Sequence, residues 1–341
     1  MHLFQDDPSI DSVRQVHAGK YRRYSGLTRL QRLLDISTFM SNARDVGRVC
    51  RGYAQALKLL KELKPDGVVI KGGFVGVPIG LAAAHLNIPF ITHDSDSTPG
   101  LANRIIAKWA HKHATGMPVE FYTYPTGSMV YTGVPISNQF VPVTSGLQQQ
   151  YKESVGLAAC TQVITVIGGS QGGGQLNEDI AAIIGRLMQQ HHNIGLVHIV
   201  GPDHETTMQH HYANELLADE LRRVVIKSFV SDVYRYTGAA DVVVSRASAT
   251  VVAELAVQGK ATILVPGQLA DDHQVSNARH LSKSEAVIQV DYGDREGLFT
   301  ALNQLLGDAA MRQKQAASFQ RIAKPDAAKD LALLAVQEFT H

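Results

Sequence analysis

The stretch that decides the fold is Val163-Ile164-Thr165-Val166-Ile167-Gly168-Gly169-Ser170-Gln171-Gly172-Gly173-Gly174, an apolar, β-branched run that enters a glycine-rich turn. A helical pattern begins at Gln175 and continues toward Met188. Strand, glycine turn and helix N-terminus bring bare backbone N–H groups and the positive end of a helix dipole to one point. The stretch therefore predicts a phosphate site, with a simple tight βα turn as the alternative. Its spacing is neither the dinucleotide fingerprint nor a P-loop.

Composition sets the class of protein. A chain of 341 residues, 45% apolar and 18% charged, is typical of a globular protein of two domains. Its two cysteines lie far apart, the first residues lack the pattern of a signal peptide, and no apolar run has the length of a membrane span. These features favour a cytoplasmic protein. The net charge of +1 argues against a nucleic-acid partner.

Positive charge is concentrated near the N-terminus. Residues 1–65 contain twelve Lys and Arg but only six Asp and Glu. The cluster Lys20-Tyr21-Arg22-Arg23-Tyr24 is followed by apolar Leu27, Leu30, Leu33 and Leu34. This pattern suits an anionic lipid surface, and it equally suits a solvated helix face.

Short apolar runs alternate with helical stretches after about residue 66, which predicts parallel sheets in an α/β fold. The strands predicted for the first sheet are Gly67–Lys71, Pro89–Thr92 and Met129–Tyr131, and its helices are Val77–His85 and Leu101–His113. The strands predicted for the second sheet are Val163–Ile167, Gly195–Val200, Val224–Lys227, Asp241–Ser245, Ala261–Val265 and Val287–Val290, with helices at Ala249–Gln258 and Gln274–Leu281. We expect two doubly wound, Rossmann-like domains, 1–137 and 159–325, joined by a linker at 138–158 and followed by a C-terminal helix at 326–341.

Two further strand ends of the second domain carry polar chemistry. Ser245–Thr250 is rich in small residues, which lets a helix N-terminus approach a ligand, and Glu254 follows one turn later. That carboxylate suits the hydroxyls of a ribose, or it faces solvent. In Pro266–Ala278, amide and imidazole groups crowd one helical turn, which suits sugar hydroxyls. Contiguous residues cannot all face one ion, so we predict no metal site at Asp271-Asp272-His273.

The first domain has two strand-end loops of its own. Lys71–Pro78 is glycine-rich and His93–Arg104 is polar, and both follow predicted strands. Because the carboxyl ends of parallel strands share one edge of a sheet, the loops of the two domains are expected to face each other across a cleft.

Taken together, these motifs resemble glycosyltransferase family 28, the MurG-type N-acetylglucosaminyltransferases of GT-B fold. The resemblance extends from about residue 17 to the C-terminus. The matching segments of the first domain are Gly72-Gly73, Pro78, His93, Pro99–Arg104 and Thr132–Ser137. Those of the second are Gly168–Gly173, Asn177, Phe229-Val230, Arg246–Glu254 and His273–Ala278.

The resemblance implies a metal-independent, inverting enzyme without a cofactor. It would transfer N-acetylglucosamine (GlcNAc) from UDP-GlcNAc to undecaprenyl-pyrophosphoryl-MurNAc-pentapeptide (lipid I), as a peripheral protein on the cytoplasmic side of the cell membrane. The donor residues it implies are Asp96, Ser137, Ser170, Val230, Ala249, Thr250, Val251, Val252, Ala253, Glu254, His273, Gln274 and Asn277. The acceptor residues it implies are Gly72, Gly73, His93, Asn103 and Arg104. Ser170 would hold the diphosphate, Val230 the uracil and Glu254 the ribose, while His273, Gln274 and Asn277 would contact the GlcNAc.

The chain departs from the family pattern at four places. Asp96 stands where the family has Asn, Ser137 where it has Arg, and Ser248 where it has Gly. Nothing in residues 1–66 matches the family's first strand and Gly-Gly-Thr-Gly-Gly-His loop, so we expect an incomplete N-terminal domain and assign no catalytic residue. Two alternatives follow from these departures: a UDP-sugar transferase with another acceptor, and a weakly catalytic UDP-sugar-binding subunit that needs a partner.

Overall fold

The computed structural model describes residues 10–19, 36–169, 173–267 and 273–340, with only the helical backbone for 36–43. The first domain is built on a parallel sheet of four strands in the order β1-β2-β3-β4. Its elements are α1 (Ile36–Leu63), β1 (Val68–Ile70), α2 (Gly76–His85), β2 (Phe90–Asp94), α3 (Leu101–Ile106), β3 (Lys112–Thr115) and β4 (Met129–Tyr131). Neighbouring residues Phe90 and Ile91 are both fully buried, and they pack into separate clusters on the two faces of this sheet. This is the doubly wound arrangement that the alternation predicts.

One prediction for this sheet is wrong. The helix predicted over Leu101–His113 ends at Ile106, a 3₁₀ turn covers Ala107–Trp109, and the chain then forms strand β3. Lys112–Thr115 contains a single β-branched residue, so its local propensity for a strand is weak. Its neighbours decide its structure, because β3 pairs with β2 on one side and β4 on the other.

The second domain is built on a parallel sheet of six strands in the order β10-β9-β8-β5-β6-β7. Its elements are β5 (Gln162–Ile167), α5 (Gly174–Gln190), β6 (Ile194–Ile199), α6 (Glu205–Glu215), α7 (Ala218–Leu221), β7 (Val224–Lys227), α8 (Val233–Ala239), β8 (Val242–Ser245), α9 (Ala249–Gln258), β9 (Ala261–Leu264), α10 (His273–Lys283), β10 (Ile288–Gln289), α11 (Arg295–Gly307) and α12 (Ala309–Gln320), with α4 (Ser145–Ser154) preceding the sheet. Along β5, Val163 and Ile164 point into separate cores on opposite faces. The six strands predicted for this domain are confirmed to within one or two residues at each end.

Helix α4 lies inside the segment predicted as a linker, 138–158. Gln148 donates from Nε2 to the carbonyl oxygens of Ala239 and Ala240, and Tyr151 packs edge-on against Tyr234 of α8. The segment therefore carries a helix that packs against the second domain.

The C-terminal helix, α13 (Ala327–Phe339), returns to the first domain. Its Leu331 and Leu334 are buried in one cluster with Ile91 and Ala114 of the first sheet. Within the described part of the chain, no helix has the length and apolarity that a bilayer span requires.

Candidate active site

Three helices of the second domain begin at the same edge of its sheet. Strands β9, β8 and β5 are consecutive and parallel, so their carboxyl ends lie side by side. Helices α10, α9 and α5 begin after those ends, at His273, Ala249 and Gly174. Each N-terminus presents N–H groups and the positive end of its dipole, so the three together form a pole that favours an anionic ligand.

The turn after β5 depends on glycine. Gly169 has φ +89°, a conformation that favours residues without a side chain, and a Cβ on Gly173 would lie 3.0 Å from the Cα of Gly168. The backbone at Gly173 thus lies close to the backbone at Gly168, just before α5 begins. Ser170, predicted to hold the diphosphate, lies outside the described residues.

Helix α9 presents its predicted residues in different directions. Thr250 is exposed at the N-terminus, whereas Ala249 and Val252 are buried in the core of the second domain. Half-buried Ala253 borders a small cavity between the two domains, together with Val252. Val251, also half-buried, packs against the apolar core. The packing residues hold the helix in position, and Thr250 lies at its open N-terminal end.

Glu254 is the titratable group of this helix. It is half-buried, and burial raises the pKa of its carboxyl to about 7. Carboxyl groups whose pKa is raised by desolvation occur frequently in functional sites.

Asn277 of α10 joins the two domains. Its Oδ1 accepts from the backbone N–H of Ser97 at 2.8 Å, and its Nδ2 donates to Asp96 Oδ1 at 2.9 Å and to the carbonyl of Ala247 at 3.0 Å. Ser276 adds a hydroxyl contact to Ser97 at 3.0 Å. Two residues predicted for the donor site, Asp96 and Asn277, therefore meet across the domain boundary.

The other predicted donor residues are placed separately. Gln274 accepts from the backbone N–H of Gly267 at 2.9 Å and so holds the end of the β9 loop, and half-buried His273 begins α10. Val230 is half-buried and packs against the core, beside exposed Phe229. Ser137 is exposed, and its Oγ accepts from the backbone N–H of Gln139 at 3.3 Å.

Of the predicted acceptor residues, Gly72 and Gly73 follow β1, His93 lies within β2, and Asn103 and Arg104 lie in α3. Gly72 and Gly73 both have positive φ, +80° and +75°. Buried Asn103 donates to Asp94 Oδ1 at 2.9 Å. A Cβ on Gly72 would lie 3.9 Å from Oδ1 of Asn103. Arg104 is exposed beside it. The two loops therefore meet, as the strand order requires.

His93 is placed differently from the other acceptor residues. It is fully buried, its Nε2 donates to the carbonyl of Gly133 at 2.9 Å, and burial lowers the pKa of the imidazole. The ring bound in this way ties β2 to the turn after β4, and its predicted acceptor role stays a prediction.

The comparisons with known proteins agree with this architecture. The C-terminal domain model of glycosyltransferase family 28 matches residues 163–331, and the N-terminal domain model of the same family matches residues 30–115. The chain is 30% identical over 298 residues to the UDP-N-acetylglucosamine–N-acetylmuramyl-(pentapeptide) pyrophosphoryl-undecaprenol N-acetylglucosamine transferase of Limosilactobacillus fermentum, covering 86% of this chain and 79% of that one. The chain belongs to glycosyltransferase family 28. A protein of the same name from Caldicellulosiruptor saccharolyticus is also 30% identical, over 318 residues that cover 92% of this chain and 81% of the relative.

A solved structure supports the fold. Acinetobacter baumannii MurG superposes with a TM-score of 0.68 at 25% identity, covering 85% of this chain and 80% of that chain. The two parallel-sheet domains are thus a GT-B fold, which confirms the predicted fold class.

The family 28 C-terminal domain contains two functional candidates that were not among the predicted site residues. Arg246 packs its guanidinium over Gly267, where any Cβ would overlap it, and within the described residues its buried Nε has no hydrogen-bond partner. The signal for this cation is its position at a strand end, one turn before α9.

His198 is the other candidate, and it holds the first turn of α5, which follows the glycine turn, through Asn177. Its Nε2 donates to Asn177 Oδ1 at 3.1 Å, and its Nδ1 accepts from the hydroxyl of Tyr212 at 2.7 Å. Asn177, in the first turn of α5, also donates to the carbonyl of Val200 at 2.9 Å. The network fixes the start of α5 against β6. The only sequence signal for His198 was a lone histidine in an apolar strand.

No group of three His, Cys, Asp or Glu side chains suited to a metal ion occurs within 10–19, 44–169, 173–267 and 273–340. Asp271 and Asp272, considered as ligands from the sequence, fall outside the described residues.

Proposed function

We propose that this chain transfers GlcNAc from UDP-GlcNAc to undecaprenyl-pyrophosphoryl-MurNAc-pentapeptide, forming the disaccharide lipid of peptidoglycan synthesis and releasing UDP. The observation that carries the proposal is the pole of three helix N-termini at α5, α9 and α10, next to Asn277 at the domain boundary. Its relatives bear the name of this transferase and are matched over about four fifths of their length.

The donor fits this pole in a definite orientation. The diphosphate lies against the N-termini of α5 and α9, where N–H groups and helix dipoles balance its charge. Glu254 accepts from the ribose hydroxyls, and the backbone of Val230 contacts the uracil. The GlcNAc then extends toward His273 and Gln274 at the N-terminus of α10, whereas Asn277 is fully buried and its amide is bonded to Ser97, Asp96 and Ala247.

The chemistry follows from that orientation. An acceptor hydroxyl attacks the anomeric carbon from the face opposite UDP, so the configuration inverts. The C1–O bond to UDP breaks as the new bond forms, and the electron pair leaves on the β-phosphate oxygen. Preorganised N–H groups at the helix N-termini stabilise that developing charge, which lowers the barrier.

The acceptor's lipid requires the enzyme to work at a membrane surface. In the first domain, Ile105 and Trp109 are 44% and 41% exposed, Lys108 Nζ lies 4.1 Å from the Trp109 ring, and Arg104 is exposed on the same segment. Exposed aromatic and basic groups together favour an anionic bilayer interface. We place this segment on the cytoplasmic face of the membrane; the basic cluster at 20–24 lies outside the described residues.

Vesicle sedimentation tests whether the segment around Trp109 binds a membrane. Trp109→Ser should reduce binding to phosphatidylglycerol vesicles, while Leu217→Ser, at a position 69% exposed in the second domain, should not. Equal binding by both variants and the unchanged protein would place the membrane contact elsewhere.

Transfer itself is tested with radiolabelled UDP-GlcNAc and a lipid I analogue with a shortened polyprenyl chain. The expected products are the disaccharide lipid and UDP in equal amounts, with UDP-glucose as the donor control. Donor binding without any transfer would instead support a sugar-nucleotide-binding subunit. Transfer only to other acceptors would support a different glycosyltransferase.

A further inference from the structure

An inverting transfer needs a group that accepts the proton of the attacking hydroxyl. UDP is bound by the second domain in the proposed function, so the leaving group departs on that side. The attacking hydroxyl approaches from the opposite side of the sugar, where the first domain lies. The proton acceptor is therefore expected on the first domain, close to α10, whose N-terminus approaches the sugar in the proposed function.

Asp96 satisfies both conditions. It belongs to the loop after β2 of the first domain, yet its Oδ1 lies 2.9 Å from Nδ2 of Asn277 on α10. The same Nδ2 is 3.0 Å from the carbonyl of Ala247, just before α9 begins. One amide group thus connects the Asp96 carboxylate with the loop that leads into the diphosphate pole.

The carboxylate is held firmly and is still open on one side. The hydroxyl of Tyr122 donates to the Asp96 carbonyl at 2.7 Å, and the N–H of Ser97 donates to Asn277 Oδ1 at 2.8 Å, so the backbone on both sides is fixed. Asp96 is half-buried, and within the described part of the chain no group donates to its Oδ2. That oxygen is available to a substrate hydroxyl.

The other titratable groups near the junction are less suited to this task. The Nε2 of His93 is bound to Gly133, and the ring is fully buried. Glu254 lies on α9, on the same side of the sugar as UDP, and His273 begins α10 of the same domain.

We propose that Asp96 is the general base of the transfer reaction, an inference that rests on the proposed function. The acceptor hydroxyl oxygen forms the bond to C1 while its proton passes to Asp96 Oδ2. The C1–O bond to UDP breaks, and its electron pair stays with UDP. Asp96 then returns the proton to solvent, and Asn277 keeps the carboxylate aligned through Oδ1.

Asp96→Asn tests this directly because it keeps an acceptor oxygen for Asn277 and removes the basic carboxylate. General-base catalysis contributes typically about 100- to 10,000-fold, so kcat should fall by about 100-fold or more. The Kd for UDP-GlcNAc, measured by calorimetry, should stay within about threefold, and so should the KM for the lipid I analogue. Ser97→Ala is the matched control: it removes the hydroxyl contact to Ser276 but keeps the backbone bond to Asn277.

The alternatives give different results. A kcat for Asp96→Asn within threefold of the unchanged protein overturns the proposal. So does a loss of rate matched by an equal loss of donor affinity, since that pattern defines a binding residue. An equal loss in Ser97→Ala would assign the effect to the domain contact. An unchanged protein that binds UDP-GlcNAc but never glycosylates lipid I overturns the proposed function and this inference together.

Discussion

Replacing His198 by glutamine is expected to flatten the dependence of the protein's stability on pH. The imidazole is fully buried between Asn177 and Tyr212, and burial lowers its pKa from 6.5 to about 3. Because Asn177 Nδ2 is bound to the carbonyl of Val200, its Oδ1 faces the ring and fixes the proton on Nε2. The folded protein therefore keeps this histidine neutral at pH 5.5 and above.

The magnitude follows from proton linkage. In the unfolded chain His198 has its ordinary pKa of about 6.5, so it takes up a proton below that pH while the folded protein does not. The stabilisation is fully present above pH 6.5 and is lost as the pH falls toward 3. The slope approaches about 1.4 kcal/mol per pH unit, and the loss between pH 7.5 and 5.5 is about 1.4 kcal/mol. Buried His93 and His113, whose pKa values are also lowered by desolvation, contribute in the same direction.

The assay compares slopes rather than absolute stabilities. Urea unfolding followed by circular dichroism at pH 7.5, 6.5 and 5.5 gives the free energy of unfolding for the unchanged protein, His198→Gln and the control His192→Gln, whose side chain is exposed. His198→Gln should be less stable at pH 7.5 and should lose about 1.4 kcal/mol less on acidification. Parallel curves for all three proteins would refute a neutral, buried His198.

Three other substitutions have defined outcomes. At pH 8, above the Glu254 pKa of about 7, Glu254→Gln should weaken UDP binding about tenfold by calorimetry but leave the affinity for a 2′,3′-dideoxyribose analogue unchanged, because a charged acceptor for the ribose hydroxyls is lost; equal effects on both ligands would contradict the ribose contact. Gly133→Ala should lower stability in thermal melts by about 1–3 kcal/mol, since Gly133 has φ +83° and a methyl group there would overlap Lys324. Lys152→Met should cost about 3–5 kcal/mol in urea unfolding because it leaves the Asp241 carboxylate, 2.8 Å away, without its cation; the double variant with Asp241→Asn should recover part of this loss, and no recovery would show that the ion pair is not the cause.

The second domain was largely predictable from local pattern. The β-branched run at Val163–Ile167, followed by glycines, lies in strand β5, and the helix predicted at Ala249–Gln258 has the bounds of α9. Such segments are predicted correctly because hydrophobic periodicity and breaker residues act within one element. The prediction for the segment that forms strand β3 was wrong for the opposite reason. Pairing with β2 and β4 outweighs the weak strand propensity of Lys112–Thr115.

The candidate site was predictable only in part. The sequence indicated which loops carry chemistry, because strand ends followed by glycine or polar residues are visible locally. It could not show that Asn277 binds Asp96 and Ser97, since that contact joins residues some 180 positions apart. Nor could it separate exposed Thr250 from buried Val252, because the rotation of α9 against its core is set by tertiary packing. The roles of the individual site residues stay predictions.

The return of α13 to the first sheet has a consequence for synthesis on the ribosome. Leu331 and Leu334 cover Ile91 and Ala114, so these two sheet residues gain that cover only after some 200 further residues have followed β4. At roughly 5–20 residues per second, that takes ~10–40 s, during which the second domain can emerge and begin to fold. The first domain to be translated is therefore the last to receive its final helix, and the apolar side chains that await α13 are a surface that a nascent-chain chaperone would meet.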